Sequence, residues 1–153
     1  MTDVTVGVVD VYIIRPSWHV LVLQRATNTR CPGSWETVHG HIERESAELP
    51  EAAAVREVRE ETGLTVERLY NVTVQPFYLH RYGAVQLAVV FAAFVPEDSP
   101  VVLGPEHQRA EWLSVDDALA RYTWPRSRAA LNDITDLLAS GDAGVVEDVL
   151  RVL

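Results

Sequence analysis

The sequence contains no lysine, and all 13 of its cationic side chains are arginines. The lack of lysine excludes Schiff-base catalysis and the lysine of a phosphate-binding loop. The arginines are outnumbered by 22 carboxylates, which gives a formal net charge of −9. A general nucleic-acid binder needs excess cations for the phosphate backbone, so that class is excluded as well. An anionic substrate would have to be bound by arginine and metal.

Cysteine and long apolar runs are also scarce. One thiol, Cys31, can form neither an internal disulfide framework nor a thiolate metal site, and we interpret it as incidental. No run of eighteen apolar residues is present, and the amino terminus lacks a charged-then-apolar leader. We therefore expect no membrane partner, no signal peptide and a cytoplasmic location.

The length of 153 residues and the apolar content of 48% predict a single globular domain over residues 1–153. Apolar periodicity predicts strands at residues 4–14, 19–25, 35–38, 65–74, 77–82, 84–95 and 110–113, with Pro76 as a break between two of them. Helices are predicted at residues 50–62, 114–122 and 125–139, and residues 143–153 could form another. Strands interleaved with helices indicate an α/β domain.

The first predicted helix carries three carboxylates on one face. Pro50 suits a first helical position and Gly63 suits a helix end. Within that span Glu57, Glu60 and Glu61 have i, i+3, i+4 spacing, which places them within an arc of about 100°. The simplest interpretation is a solvated helix with surface ion pairs. The alternative is that the acidic face lines a cleft and binds a hard divalent cation such as Mg²⁺.

The spacing of the acids favours the second interpretation. Glu48, seven further residues and then Arg-Glu-Val-Arg-Glu-Glu-Thr-Gly-Leu from Arg56 onward resemble the Nudix box at every fixed position from Glu48. The front of the pattern differs, because seven residues instead of five separate Gly40 from Glu48 and His39 replaces the usual second glycine. This implies a two-residue insertion. Glu48 has the right distance to Arg56 for the first box glutamate, but Glu45 could take that role.

The resemblance implies the Nudix fold, a mixed β-sheet sandwiched between α-helices, and hydrolysis of a diphosphate linked to another moiety. Carried over by position, the expected metal ligands are Glu57, Glu60, Glu61 and the carbonyl of Gly40. The expected cofactor is Mg²⁺, with Mn²⁺ as a substitute. The resemblance also implies that Arg56 orients the glutamates through an ion pair with Glu48 or Glu60, and that Glu57 is the general base.

Residues outside the box are similar to those of one branch of this family. Glu106-His107, followed by Trp112-Leu113, resembles dihydroneopterin triphosphate and deoxyadenosine triphosphate pyrophosphohydrolases, as do the segments at residues 23–25 and 34–38. Glu106 is therefore a candidate catalytic carboxylate, with an ordinary loop glutamate as the alternative. The candidate substrate-binding residues are Arg25 and Arg81 for phosphates and Trp35 and Tyr78 for stacking on a heterocycle.

Two functional hypotheses stay open at this point. One is a Mg²⁺-dependent pyrophosphohydrolase acting on a small phosphorylated molecule. The other is a non-hydrolytic sensor with the same fold that binds a nucleotide or a protein. The intact Arg-Glu-x-x-Glu-Glu core favours the enzyme, whereas the insertion before Glu48 leaves the sensor in consideration. The sequence is also compatible with a homodimer.

Overall fold

The structure, a computed structural model, describes residues 1–153. Its strands are β1 (Asp3–Arg15), β2 (His19–Arg25), β3 (Trp35–Glu36), β4 (Val38–His41), β5 (Arg68–Leu79), β6 (Ala84–Phe94) and β7 (His107–Ser114). Its helices are α1 (Pro50–Thr62), α2 (Val115–Arg121), α3 (Pro125–Leu138) and the single turn α4 (Glu147–Leu150), which follows a 3₁₀ turn at Gly144–Val146. The predicted α/β class is confirmed.

The sheet is mixed, because β1 runs parallel to β6 and antiparallel to its other neighbours. One edge of β1 is shared by two strands. The segment Val8–Val11 pairs with β4, whereas β2 pairs only with Ile14 and Arg15 at the end of the strand. On its other edge β2 pairs with β7 along its whole length, and Leu23 and Gln24 pair with β3. The sheet therefore divides beside β1, which leaves β1 and β4 free to contribute side chains to a cleft.

Helices cover both faces of the sheet. Ala53, Ala54 and Val58 of α1 are fully buried in a core cluster with alternate residues of β1 and β2. Leu131 and Ile134 of α3 are fully buried in the cluster on the opposite face. Small alanines allow α1 to lie close to the strands, so its carboxylates are held on a rigid element. The predicted sandwich of a mixed sheet between helices is confirmed.

The predicted break at Pro76 is wrong. β5 runs without interruption from Arg68 to Leu79, and Pro76 pairs with Leu87 of β6. β5 is the last strand at its edge of the sheet, so a proline that lacks an N–H can be accommodated when that side of the residue faces away from the ladder. The same strand starts later than predicted, at Arg68 instead of residue 65.

Two further boundaries differ from the prediction. β7 starts at His107, three residues before the predicted residue 110, because its polar first residues pair with the end of β2. The carboxyl-terminal segment is not one helix, since Gly144 has a φ of 55° and the chain is extended again at Arg151, which bridges to Tyr70 of β5. No helix has the length and apolar character needed to cross a membrane.

Candidate active site

α1 presents its acids in a fixed orientation because both of its ends are defined. Pro50 occupies the first turn, where its missing N–H costs no helical hydrogen bond. At the other end Gly63 adopts a left-handed φ of 72°, and its N–H donates to the carbonyl of Arg59. Glu57 and Glu61 lie one turn apart near this end and face the sheet, which makes them available to a common site.

Glu57 packs directly on the backbone of Gly40 in β4. A Cβ added to Gly40 would lie 2.1 Å from the carboxyl carbon of Glu57, which is far inside van der Waals contact. Only glycine therefore permits this approach. Burial raises the pKa of the Glu57 carboxyl, although its hydrogen bond from Arg56 opposes that effect. The contact brings a carboxylate and the backbone of β4 to the same place.

The guanidinium of Arg56 connects the acids around it. Its Nε and Nη2 each donate to one oxygen of Glu48 at 2.8 Å, which is a bidentate pair. Its Nη1 donates to Glu57 at 2.8 Å and to Glu60 at 3.2 Å, and its Nη2 also donates to the carbonyl of His41 at 2.9 Å. Arg56 therefore fixes the position of Glu57 and partly neutralises the surrounding carboxylates.

The two-residue insertion leaves Glu48, and not Glu45, beside Arg56. The segment from Glu43 to Glu48 closes on itself, because the N–H of Glu48 donates to the carbonyl of Glu43 and the N–H of Glu43 donates to the Glu48 carboxylate. The left-handed φ of 53° at Ala47 allows this tight loop. Glu45 is exposed at the surface of the loop. The hydrogen bonds from Arg56 lower the pKa of Glu48 to about 2.

Glu61 is a buried carboxyl group without a hydrogen-bond partner on either oxygen. Its pKa is raised to about 10, chiefly by burial, next by the neighbouring Glu106 carboxyl, and less by Glu57 and Glu36. Several carboxyl groups converging in a buried place are costly unless a proton or a cation compensates their charge. The Glu61 and Glu106 pair therefore marks a position where positive charge would be stabilised.

The loop between β6 and β7 brings Glu106 to this position. The N–H of Val102 donates to the carbonyl of Thr62 at 2.8 Å, and the N–H of Gly104 donates to that of Glu61 at 3.0 Å. These bonds satisfy carbonyls at the carboxyl end of α1, which have no partner within the helix. A Cβ on Gly104 would lie 2.9 Å from the carbonyl oxygen of Glu60, so the loop approaches α1 closely.

A second set of polar and charged groups lies next to Glu61 on the side of β2 and β3. Glu36 is buried and accepts from Arg25 Nη1 at 3.3 Å and from His107 Nε2 at 3.1 Å, depending on the histidine tautomer. The other ring nitrogen of His107 lies 3.7 Å from Glu61 Oε1. His107 thus stands between two carboxylates and restricts where the Glu61 side chain can lie.

All of these groups surround or adjoin one cleft of about 970 Å³. One part of the cleft is lined by Glu57, Glu106 and Gly40. Another part is lined by groups from β1, β4, β5 and the start of α3, namely Asp10, His39, Phe77, Trp124 and Arg126. Burial alone would lower the pKa of His39, but its hydrogen bond with Asp10 raises it above the usual value. The cleft therefore has one region of carboxyl groups, suited to a metal ion, and a second region of aromatic and charged groups.

The sequence-predicted substrate residues divide into two pairs. Arg25 and Tyr78 line the cleft, although the Arg25 guanidinium is already engaged with Glu36 and the carbonyl of Arg30. Trp35 and Arg81 are not brought to the cleft. The Trp35 ring packs against the α2 and α3 side of the core beneath the guanidinium groups of Arg109 and Arg121, and Arg81 lies in an exposed turn.

The predicted metal ligands also differ in their surroundings. Glu57 lies beside Gly40 and Glu61 is buried one helical turn away, but Glu60 points outward, with 57% of its side chain exposed and its carboxylate held by Arg56. No group of three or more His, Cys, Asp or Glu side chains is arranged as a complete metal site. The residues nevertheless fit a hard divalent cation, because the two unpaired oxygens of Glu61 and the adjacent Glu106 carboxyl offer the oxygen ligands such ions bind.

Sequence reasoning missed Asp10, Arg126 and Glu36 as residues of the site. Asp10 could have been found, since it is the only charged residue in the apolar segment of residues 4–14. A carboxylate in the middle of a buried strand needs a functional or structural partner. Arg126 and Glu36 gave no comparable signal, because each follows an ordinary helix-start or strand pattern.

A model of the NUDIX domain matches residues 4–134. Among solved structures, a MutT protein from Methanosarcina mazei Go1 is 25% identical, with a TM-score of 0.73 over 88% of this chain and 95% of that chain. The dihydroneopterin triphosphate pyrophosphohydrolase of E. coli is also 25% identical, with a TM-score of 0.67 over 86% of this chain and 96% of that one. The resemblance inferred from the box spacing is therefore confirmed.

Curated relatives are longer than this chain. A Myxococcus xanthus protein named octanoyltransferase is 34% identical over 122 residues, which are 78% of this chain and 33% of the relative. For a Caenorhabditis elegans relative, 29% identical over 136 residues, the matched share is 88% of this chain and 35% of the relative. The chain thus spans about a third of the length of the curated relatives it matches.

Proposed function

Because this chain belongs to the Nudix family, we propose that it is a Mg²⁺-dependent pyrophosphohydrolase acting on a nucleoside or pterin triphosphate or a related nucleoside diphosphate derivative. Mn²⁺ would substitute for Mg²⁺. The observation that carries the proposal is the group of neighbouring carboxyls Glu57, Glu61 and Glu106, in which Glu57 packs on Gly40 and both oxygens of Glu61 are buried and unpaired. A module that only binds a ligand has no need for such a costly arrangement.

Glu57, Glu61, Glu106 and the carbonyl of Gly40 would hold the cation, and Glu60 would join them if its side chain turned inward. When bound, a divalent cation supplies charge neutralisation for the phosphates and increases the acidity of water. Glu57 is our candidate general base, since one of its oxygens is held by Arg56 and the other makes no hydrogen bond within the chain.

The reaction we propose is attack by water on the α-phosphorus of a triphosphate. The bond from that phosphorus to the bridging oxygen breaks, pyrophosphate leaves, and a proton of the water passes to Glu57. Similarity to the E. coli dihydroneopterin triphosphate pyrophosphohydrolase supports this choice of substrate class. Arg56 and Glu48 would act by holding Glu57 in place, which makes them positioning residues.

The test is a screen of nucleoside triphosphates, dinucleotides, nucleotide sugars and dihydroneopterin triphosphate with Mg²⁺, reading pyrophosphate and phosphate separately. We expect pyrophosphate from one or more triphosphates, no turnover in excess chelator, and loss of most activity in Glu57→Gln. Glu67→Gln is the matched control, since Glu67 is exposed and remote from the cleft. Tight nucleotide binding without hydrolysis of any compound would favour the sensor hypothesis instead.

A further inference from the structure

Asp10 has an unusual environment for a carboxylate. Only 3% of its side chain is exposed, and it lies in the central strand β1. Its Oδ1 is 2.5 Å from His39 Nδ1, whereas its Oδ2 has no hydrogen-bond partner although it is buried. An unpaired buried carboxylate oxygen costs free energy comparable to a lost charged hydrogen bond, so a ligand that donates to it gains specificity.

Arg126 provides the complementary group. Its Nε lies 3.8 Å from Asp10 Oδ2, and its guanidinium forms no hydrogen bond within the chain. The guanidinium carbon lies 4.6 Å from the ring centre of Phe77 and 5.6 Å from that of Trp124, which fix its position by cation–π contacts. Asp10, Arg126 and both aromatic residues line the cleft. An acceptor and a donor therefore stand side by side in a partly aromatic wall.

We propose that Asp10 and Arg126 recognise the edge of the 2-amino-4-oxopyrimidine ring that guanine and pterins share. This inference rests on the proposed function, and it narrows the substrate class of the same cleft. In these rings a carbonyl oxygen is followed by a ring N–H and then by an amino group. The carbonyl would accept from Arg126, and the two neighbouring N–H donors would face Asp10.

Adenine offers a poorer match to the same groups. A carboxylate only accepts hydrogen bonds, and the adenine edge presents one amino group next to an acceptor nitrogen. Adenine could thus give Asp10 one donor, whereas the guanine edge gives two. A site with buried polar groups discriminates strongly against a ligand that leaves one of them unpaired.

The position of Asp10 also suits a substrate with phosphates at the other end of the cleft. Consecutive residues of β4 face opposite sides of the strand, so the His39 side chain meets Asp10 while the backbone of Gly40 meets Glu57. Asp10 and Glu57 nevertheless line the same cleft, so a ligand whose ring contacts Asp10 can reach Glu57 with its phosphates.

The experiment measures binding, without turnover, by calorimetry in excess chelator with GMP, IMP and AMP. IMP keeps the carbonyl and ring N–H of GMP but lacks the amino group, whereas AMP replaces that carbonyl by an amino group and that ring N–H by an acceptor nitrogen. We expect GMP to bind more tightly than IMP, and IMP more tightly than AMP, with a total difference on the order of tenfold or more.

Asp10→Asn should abolish most of this difference, because the amide NH₂ replaces an acceptor oxygen by a donor, which cannot pair with the N–H donors of the ring.

Asp3→Asn is the matched control, since it is the same change on the exposed first residue of β1. Arg126→Gln provides a second variant if Asp10→Asn does not fold, and it should weaken GMP and IMP alike. Equal affinities of the three ligands for the native chain, or no measurable binding of any of them, would overturn the inference. Retained GMP preference in a Glu57→Gln variant that hydrolyses nothing would separate base recognition from the proposed hydrolysis.

Discussion

The carboxyl carbon of Glu57 lies only 2.1 Å from the place where a Cβ on Gly40 would be. Alanine at position 40 must therefore displace Glu57 or move β4. Because Glu57 is our candidate for both metal ligand and base, we expect Gly40→Ala to lower kcat by on the order of 10²-fold. Steady-state kinetics with saturating Mg²⁺ measures this.

Gly7→Ala is the control for that substitution. Its Cβ would meet the end of the Arg44 side chain at 3.3 Å, which can move aside, and Gln86 Oε1 at an ordinary contact distance of 3.7 Å. We expect nearly native kinetics from Gly7→Ala. A Gly40→Ala variant with native kcat would show that Glu57 need not occupy the observed position for catalysis.

A second prediction concerns the bidentate pair of Arg56 and Glu48. Glu48→Gln places an amide NH₂ against one of the two guanidinium donors, which breaks half of the fork and frees Arg56 to shift away from Glu57. We expect kcat to fall about 10- to 100-fold, as is typical for groups that orient metal ligands. The measurement is kcat beside the denaturation midpoint of the same protein.

Glu45→Gln tests the alternative assignment. Glu45 is exposed, and its side chain makes no hydrogen bond with Arg56, so its replacement should leave kcat unchanged. The reverse result, with Glu45→Gln inactive and Glu48→Gln active, would mean that the insertion is rearranged when substrate binds.

The helix and its role were predictable because local signals agreed. Pro50, Gly63 and the three alanines between them indicated the correct bounds of α1, and the spacing from Glu48 to Arg56 selected the correct ion pair. These features depend on residues near one another in sequence. The exposure of Glu60 was not predictable in the same way, since helical spacing gives an angle on the helix but not the place of the neighbouring strands.

The rest of the site depends on contacts between distant segments. Glu106 reaches Glu61 because Val102 and Gly104 bond to the end of α1, and no periodicity encodes that attachment. Trp35 gave the expected aromatic signal next to the box, but its ring packs between the core and arginine side chains instead of lining the cleft. An aromatic residue fits either environment, so its sequence position alone could not distinguish them.

The third prediction is a pH dependence of stability in the metal-free protein. Burial, together with the neighbouring carboxyl of Glu106, raises the folded-state pKa of Glu61 from 4.5 to about 10, so the folded state binds more protons than the unfolded state between these values. The free energy of unfolding should therefore fall as pH rises above about 4.5. Glu61→Gln removes this titration, and we expect it to stabilise the metal-free protein at pH 8 and to flatten the pH profile. Denaturant unfolding in chelator between pH 5 and 9 measures both effects.

Divalent cations should reverse the trend in the native sequence. They bind ionised carboxylates, so the stabilisation given by Mg²⁺ or Mn²⁺ should increase with pH in the native protein and be much smaller in Glu61→Gln. Glu67→Gln, a change at an exposed glutamate, should behave as the native protein does. A pH profile of Glu61→Gln that parallels the native profile would mean that Glu61 is ionised without cost, contrary to its burial.

The last prediction is that Glu61 and Glu106 act as one unit. The Glu106 carboxyl is one of the groups that raise the pKa of Glu61, and the loop that carries Glu106 is bonded to the backbone carbonyl of Glu61. If both hold the same cation, removing either one disables the site and removing the second costs little more. We therefore expect Glu61→Gln and Glu106→Gln each to lower kcat by about 10²-fold and the double variant to lower it by much less than the product of the two single effects.

Glu106→Gln should also change kcat more than KM, because a cation or water ligand acts chiefly on the transition state. Strictly multiplicative effects in this double-mutant cycle would indicate that the two groups contribute to separate steps.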